Sequence, residues 1–466
     1  MFHYMAEYRA KQIPEAKEKG FYIFRIPQEM NTDIGWRLRG EALPEDAQII
    51  SEHIWNGSNW HGALHTTELQ RRQKVIEHAA QFLDVEALLA IDWQKHTHWH
   101  LEDLPYCICA LASPEKHIRG DGQMHVNSYI FDDHDNRIFP ATPLVLPFIL
   151  QLIHSPHVPE RAAIIADIIL PVAEAENYQP TLVRPITYIP IHPRQDRELP
   201  APELLAEAQA AYLAIQEQVP FFLTLLTDTD ASMRNMAGKV VAKIPSSIEI
   251  VAPALEQAFQ QEQDELIQAT FVYDLFHITR EQPTKYNSWF EAISSSYPNE
   301  LIRLITTRLF TYDLQCEITR AKVTALVSWL DSAPQELRQR YQLIPDYWYQ
   351  GRNVSYDIMV DLCCCVSAFP DIVVPILLRF LRQSDNNHTS LWHPFKALID
   401  YFFPSGQKVP AILSEEQREI IFALSTLGNK VHSYPWNNLL MEHGLPASQE
   451  ALQKLLSHQQ EQSDGN

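Results

Sequence analysis

Residues 146–168, LPFILQLIHSPHVPERAAIIADI, and residues 219–241, VPFFLTLLTDTDASMRNMAGKVV, align without a gap. Pro147 falls on Pro220, Phe148 on Phe221 and Arg161 on Arg234. In the second copy, Phe222, Leu223, Leu225 and Leu226 form one apolar stripe. Met233, Met236, Ala237, Val240 and Val241 then recur at helical spacing. Pro220 suits a first helical turn, where its missing N–H would have no intrahelical partner. Between the two runs, the Asp, Thr and Ser side chains of 227–232 favour turns and N-caps by bonding nearby backbone. Neither helix buries its stripe alone, so the pair requires neighbours. A weaker copy starts at Pro253, with Ile267 in the arginine place, and looser ones run over 300–330 and 374–403. Repeats of about 30–50 residues point to helical solenoids.

The pattern P-F-hydrophobic-x-L-L, polar turn, Arg-x-x-Ala resembles a HEAT repeat. The run FPATPLVLPFILQLIHSPHVPERAAI (139–164) is similar to a group of bacterial HEAT-repeat proteins. The similarity covers about 140–275, extends more loosely over 100–140 and 295–405, and is absent before about residue 60. The turn Asp and Arg usual in the family are carried by Asp228, Asp230 and Arg234; the first copy keeps only Arg161. The resemblance implies an all-α fold, an α-solenoid of HEAT-like helical pairs, with these arginines bracing turns. It also implies a protein-binding scaffold or adaptor, with toxin-neutralising immunity proteins among the possible roles. Some HEAT-like proteins act instead as bilin lyases or isomerases, and no distinct residue set in this chain marks that chemistry.

The expected layout is an irregular N-terminal cap over 1–62, in which FYIFRIP (21–27) is a short strand or an extended arm, and HEAT-like pairs over 63–178. A proline-rich linker or loop follows over 179–201, then further pairs over 202–460 and a disordered tail over 461–466. Only 13 of 466 residues are glycine, below half of average usage, which favours helix over hairpins. The linker, QPTLVRPITYIPIHPRQDRELPAP, carries prolines that block a regular helix. Thr67–Gln70 and Ser414–Gln417 have the capping-box pattern of helix starts.

The net charge is −21, which argues against nucleic-acid backbone binding and is compatible with a basic protein partner reached by electrostatic steering. The six cysteines show neither a disulfide framework nor a C-x-x-C pair, and buried, reduced thiols are expected. The first 20 residues lack the apolar core of a secretory signal, and no run approaches the roughly 20 apolar residues of a membrane span. A cytoplasmic location and no membrane partner are therefore expected. No Walker, Rossmann, nucleophile-elbow or H-E-x-x-H motif occurs. The chain is expected to be non-enzymatic and to need no cofactor.

Two kinds of local cluster stand out. Aromatic anchors for a partner are Trp55 and Trp60 in WNGSNWHG, Tyr188 in the linker, and Tyr347 and Trp348 in a later loop. The first two also suit a lid over the first hydrophobic layer. His96, His98 and His100 form an H-x-H-x-H run, the weaker candidate for a metal site and hence a metal-dependent hydrolase. On a helix such residues splay apart by about 200° at each step, so convergence would need a strand or loop.

Overall fold

In the computed structural model, described over residues 2–27, 32–55, 60–96, 103–132, 137–174, 202–279, 283–312, 318–344, 353–383, 388–410, 412–426 and 434–464, the chain is mostly helical. The described residues divide into two compact units, the first running to residue 174 and adding 202–247, the second starting at Ile248.

The N-terminus corrects the expectation of an irregular cap in an all-α chain. Helices α1 (Phe2–Lys11) and α2 (Ala16–Lys19) precede β1 (Phe21–Pro27), β2 (Thr32–Leu38), β3 (Gln48–Trp55) and β4 (Trp60–Leu64). The strands form one antiparallel sheet in the order β2-β1-β3-β4. Ala6, Ala10 and Ala16 of the helices share a core with Phe21, Ile23, Leu38 and Ile50 of the sheet. The register of β1 on β3 shifts between Ile23 and Phe24. Ile23, Phe24 and Arg25 are consequently all buried, which breaks the alternation that would mark a strand. Phe24 lies across Gly35, where a Cβ would sit 2.7 Å from the ring.

The rest of the first unit is helical apart from a short hairpin. It comprises α3 (Thr66–Ala79), α4 (Val85–Ala90), α5 (Leu104–Ala110), α6 (Lys116–Ile130), the hairpin β5 (Phe131–Asp132) and β6 (Arg137–Ile138), and α7 (Thr142–His154). After these come α8 (Arg161–Ile164), a π-helical turn (Ile165–Ile169), α9 (Leu170–Glu174), α10 (Pro202–Gln216), α11 (Val219–Leu225) and α12 (Ala231–Ala242). Thr67 does not cap α3. The N-cap is His65, two residues earlier, and its ring accepts from the Thr67 N–H at 3.4 Å. In α11 and α12 the repeated stripe is buried at Phe222, Leu225, Leu226, Met233, Ala237, Val240 and Val241, while Leu223 and Met236 are half-buried. Pro220 occupies the first turn of α11, as expected, but Pro147 lies inside α7. The π-helical turn runs into Pro171, which has no N–H to offer the preceding turn. Side chains of α6 serve the freed backbone: Asn127 donates to the Asp167 carbonyl and Gln123 to the Ala163 carbonyl.

The second unit comprises α13 (Ile248–Gln261), α14 (Glu265–Thr279), α15 (Pro283–Ser296), α16 (Glu300–Tyr312), α17 (Arg320–Ser332) and α18 (Gln335–Gln342). It continues with α19 (Val354–Cys364), α20 (Pro370–Gln383), α21 (His388–Phe402), α22 (Glu415–Thr426), α23 (Tyr434–Glu442) and α24 (Gln449–Asp464). Helix α13 packs on α14 and α15 on α16, while α14, α16, α19 and α21 pack in succession. The Ser414 box forms as expected: the Ser414 N–H donates to Gln417 Oε1 at 2.9 Å, and the Gln417 N–H to Ser414 Oγ at 3.2 Å.

A single device recurs in both units. The fourth residue of α6, α12, α16 and α18 is an arginine whose guanidinium closes the turn before its helix. Arg119 donates to the carbonyls of Ser113 and Pro114, Arg234 to those of Asp228 and Thr229, and Arg303 to those of Tyr297 and Pro298. These acceptors are the sixth and fifth residues back in every case. Arg338 reaches the Ala333 and Leu330 carbonyls. Arg161, at the start of α8, reaches the Ile153 carbonyl. In α14 the fourth residue is Gln268, which donates to the Phe259 carbonyl at 3.0 Å. The brace position of that pair is therefore Gln268 and not Ile267, because the run from Pro253 to the start of α14 is one residue longer than that from Pro220 to the start of α12.

Candidate functional site

Of the aromatic candidates, Trp55 and Trp60 are brought together as cross-strand partners at the tip of β3 and β4. Trp55 is half-buried and carries the Lys17 ammonium 4.9 Å from its ring centroid. Tyr188, Tyr347 and Trp348 lie outside the described residues. His96 ends a 3-10 turn over Trp93–His96, while His98 and His100 lie outside the described residues. Among the described residues no group of three His, Cys, Asp or Glu side chains could hold a metal ion. Burial pushes the thiols of Cys107, Cys109 and Cys365 up to about 12, so they are protonated at neutral pH. Cys364 is exposed, against the expectation of a buried cysteine triplet, and Cys316 is outside the described residues.

A charged cluster missed in the sequence links the sheet to the helices. Glu68, buried on α3, accepts four bonds. Arg25 Nη2 and Arg71 Nε each reach Oε2 at 2.9 Å; Arg71 Nη2 and Arg72 Nε reach Oε1 at 2.6 and 3.0 Å. Arg25 comes from β1 and also donates from Nε to Gln48 on β3 at 2.9 Å. Arg72 pairs through Nη1 with Asp103, at the start of α5. From α5, the Tyr106 ring lies under both neighbouring guanidinium groups, 5.3 Å from Arg71 and 4.6 Å from Arg72. Burial opposes charge on Glu68, but the bond from Arg71 and the fields of Arg25, Arg71 and Arg72 outweigh it and hold the carboxyl below its ordinary range. Burial lifts the Tyr106 phenol to about 12. The local signal was available: Arg71 and Arg72 stand three and four residues after Glu68, both on its helical face. Nothing local marks Arg25.

The second unit holds a more deeply buried network. Arg308 on α16 donates from Nε to Asp361 Oδ2 at 2.6 Å and lies 3.6 Å from Asp357, both on α19. The Tyr341 hydroxyl on α18 also contacts Arg308 and donates to Asp357 at 2.7 Å. Both Asp357 and Asp361 are at most 2% exposed. This network ties three helices by charge-assisted bonds. Elsewhere in the unit, Pro370, Val374, Pro375, Tyr401, Phe402 and Gln417 line an open groove of about 490 Å³. Its walls are mixed, with Ser414 and Glu416 also in the lining, and Asp371, which lines it too, is paired bidentately with Arg320.

No protein-family profile matches the chain, and no curated protein matches it. One solved structure, described as the crystal structure of an engineered protein, aligns over 85% of this chain and 94% of its own, with 14% identity and a TM-score of 0.29. A likeness at that level carries no argument about fold or function.

Proposed function

We propose that the chain is a non-enzymatic, HEAT-like α-solenoid scaffold that binds a basic protein partner in the cytoplasm. The observation that supports this reading most is the recurring brace. Helical pairs in both units close their turns with an arginine at the fourth residue of the second helix, and three of them use the same carbonyl offsets. A device repeated at pair after pair is what a repeat protein needs if each pair contacts only its neighbours. The charge of −21 supports the choice of partner, because exposed acids raise the encounter rate with cationic surfaces.

The test is capture of a partner from native cytosol, followed by association kinetics at two salt concentrations. The Debye length falls from about 10 Å at 0.1 M to about 3 Å at 1 M, so the on-rate should drop steeply. An acidic partner, or an on-rate indifferent to salt, rejects the electrostatic reading. Alanine at Trp55 or Trp60 should raise the dissociation rate if the hairpin tip is an anchor.

A further inference from the structure

We propose that the Arg71 and Arg72 guanidinium groups above Tyr106 form a binding site for a phosphate-type oxyanion. The donor inventory of the cluster leads there. Arg71 uses Nε and Nη2 on Glu68; Arg72 uses Nε on Glu68 and Nη1 on Asp103; Arg25 uses Nε on Gln48 and Nη2 on Glu68. Arg71 Nη1 and Arg72 Nη2 therefore donate to no acceptor among the described residues. Their contacts set three guanidinium groups against the two carboxylates of Glu68 and Asp103, with the field of Asp121 also reaching Arg25. Glu68 is sealed below, its side chain 1% exposed, while Arg71 and Arg72 are 21% and 15% exposed. A ligand would meet cationic donors, with Glu68 behind them and the Asp103 carboxylate, 42% exposed, beside Arg72.

Order in the site is supplied in advance. Two arginines adjacent in sequence are held side by side by one carboxylate and one aromatic face, in a chain whose net charge is strongly negative. The bonds to Glu68 and Asp103 fix both groups over the ring, so little side-chain freedom is lost on binding. Planar N–H edges match the oxygens of phosphate better than a point charge does. The negative field of the whole chain opposes anions, so the site would be selective and modest in affinity.

The probe is inorganic phosphate at fixed ionic strength, with chloride as the compensating anion. Thermal unfolding should move to higher temperature and saturate with phosphate, and Arg71→Gln should raise the half-saturating concentration by about tenfold or more. Phenylglyoxal labelling of the unaltered chain, mapped by mass spectrometry, does not depend on how the variant folds. Phosphate should protect Arg71 and Arg72 and leave the exposed Arg418 unaffected. Equal labelling with and without phosphate overturns the site, as does a thermal shift that chloride reproduces.

Discussion

At the scale of single residues, Glu68 has the largest consequences. Removing one partner of a buried ion pair leaves the others uncompensated, at a cost of about 3–5 kcal/mol. Glu68→Gln should destabilise the chain by that order, measured by denaturant unfolding at neutral pH. The effect must depend on pH. Because the folded carboxyl titrates below its ordinary range, its contribution is fully present above the unfolded value, near 4.5, and is lost as pH falls through the folded value. The gap between the unaltered chain and Glu68→Gln should therefore narrow on acidification below that range. His125 acts in the same sense at higher pH. Burial lowers its pKa from 6.5, and its ring bonds the Asp121 carbonyl through Nδ1 at 2.6 Å. The unfolded chain takes up a proton first, so this contribution fades as pH falls below about 6.5.

At the scale of elements, packing overrides local preference in ways that two substitutions can measure. Ala is about 1 kcal/mol better than Gly in a helix interior. Gly122→Ala should nonetheless destabilise, by about 1–3 kcal/mol, because a Cβ there would stand 2.7 Å from the Cys107 carbonyl oxygen of α5. Unchanged or raised thermal stability would mean that α5 and α6 separate at no cost. Leu226→Ala, at a site 4% exposed, should cost about 2–5 kcal/mol in the same assay. Leu226 and its stripe were legible because apolar residues at helical spacing are a local pattern. Arg234 and the Ser414 box were legible for the same reason, each lying within six residues of its partners. Of the N-terminal sheet only the run 21–27 was legible, as a short strand or an extended arm, since the shift between Ile23 and Phe24 erases the two-residue period. The brace at Gln268 was missed by one residue, because a gapless alignment carries the spacing from Pro220 to α12 onto a pair whose first helix runs further past its proline. Arg25 was missed because its partner Glu68 is 43 positions away.

For the molecule as a whole, charge sets behaviour in solution without fixing the fold. The sequence pI is about 5.4. Turbidity scanned across pH should peak near that value, where self-repulsion vanishes. The stability maximum should lie higher, because Glu68 and His125 both favour the fold more as pH rises past their titrations. Coincidence of the two extremes would mean that net charge outweighs the site-specific terms. Among the described residues, no helix is long and apolar enough to cross a membrane.

The arginine brace also bears on how such a chain can change its length. Each braced turn is closed by a side chain of the helix that follows it, a few residues downstream. Insertions between one brace and the next helical pair would leave every closed turn as it was. Insertions between a braced carbonyl and its arginine would open the turn and part the guanidinium from its acceptors. Natural relatives should accordingly vary in length between pairs and keep the five- and six-residue intervals of Arg119, Arg234 and Arg303 intact.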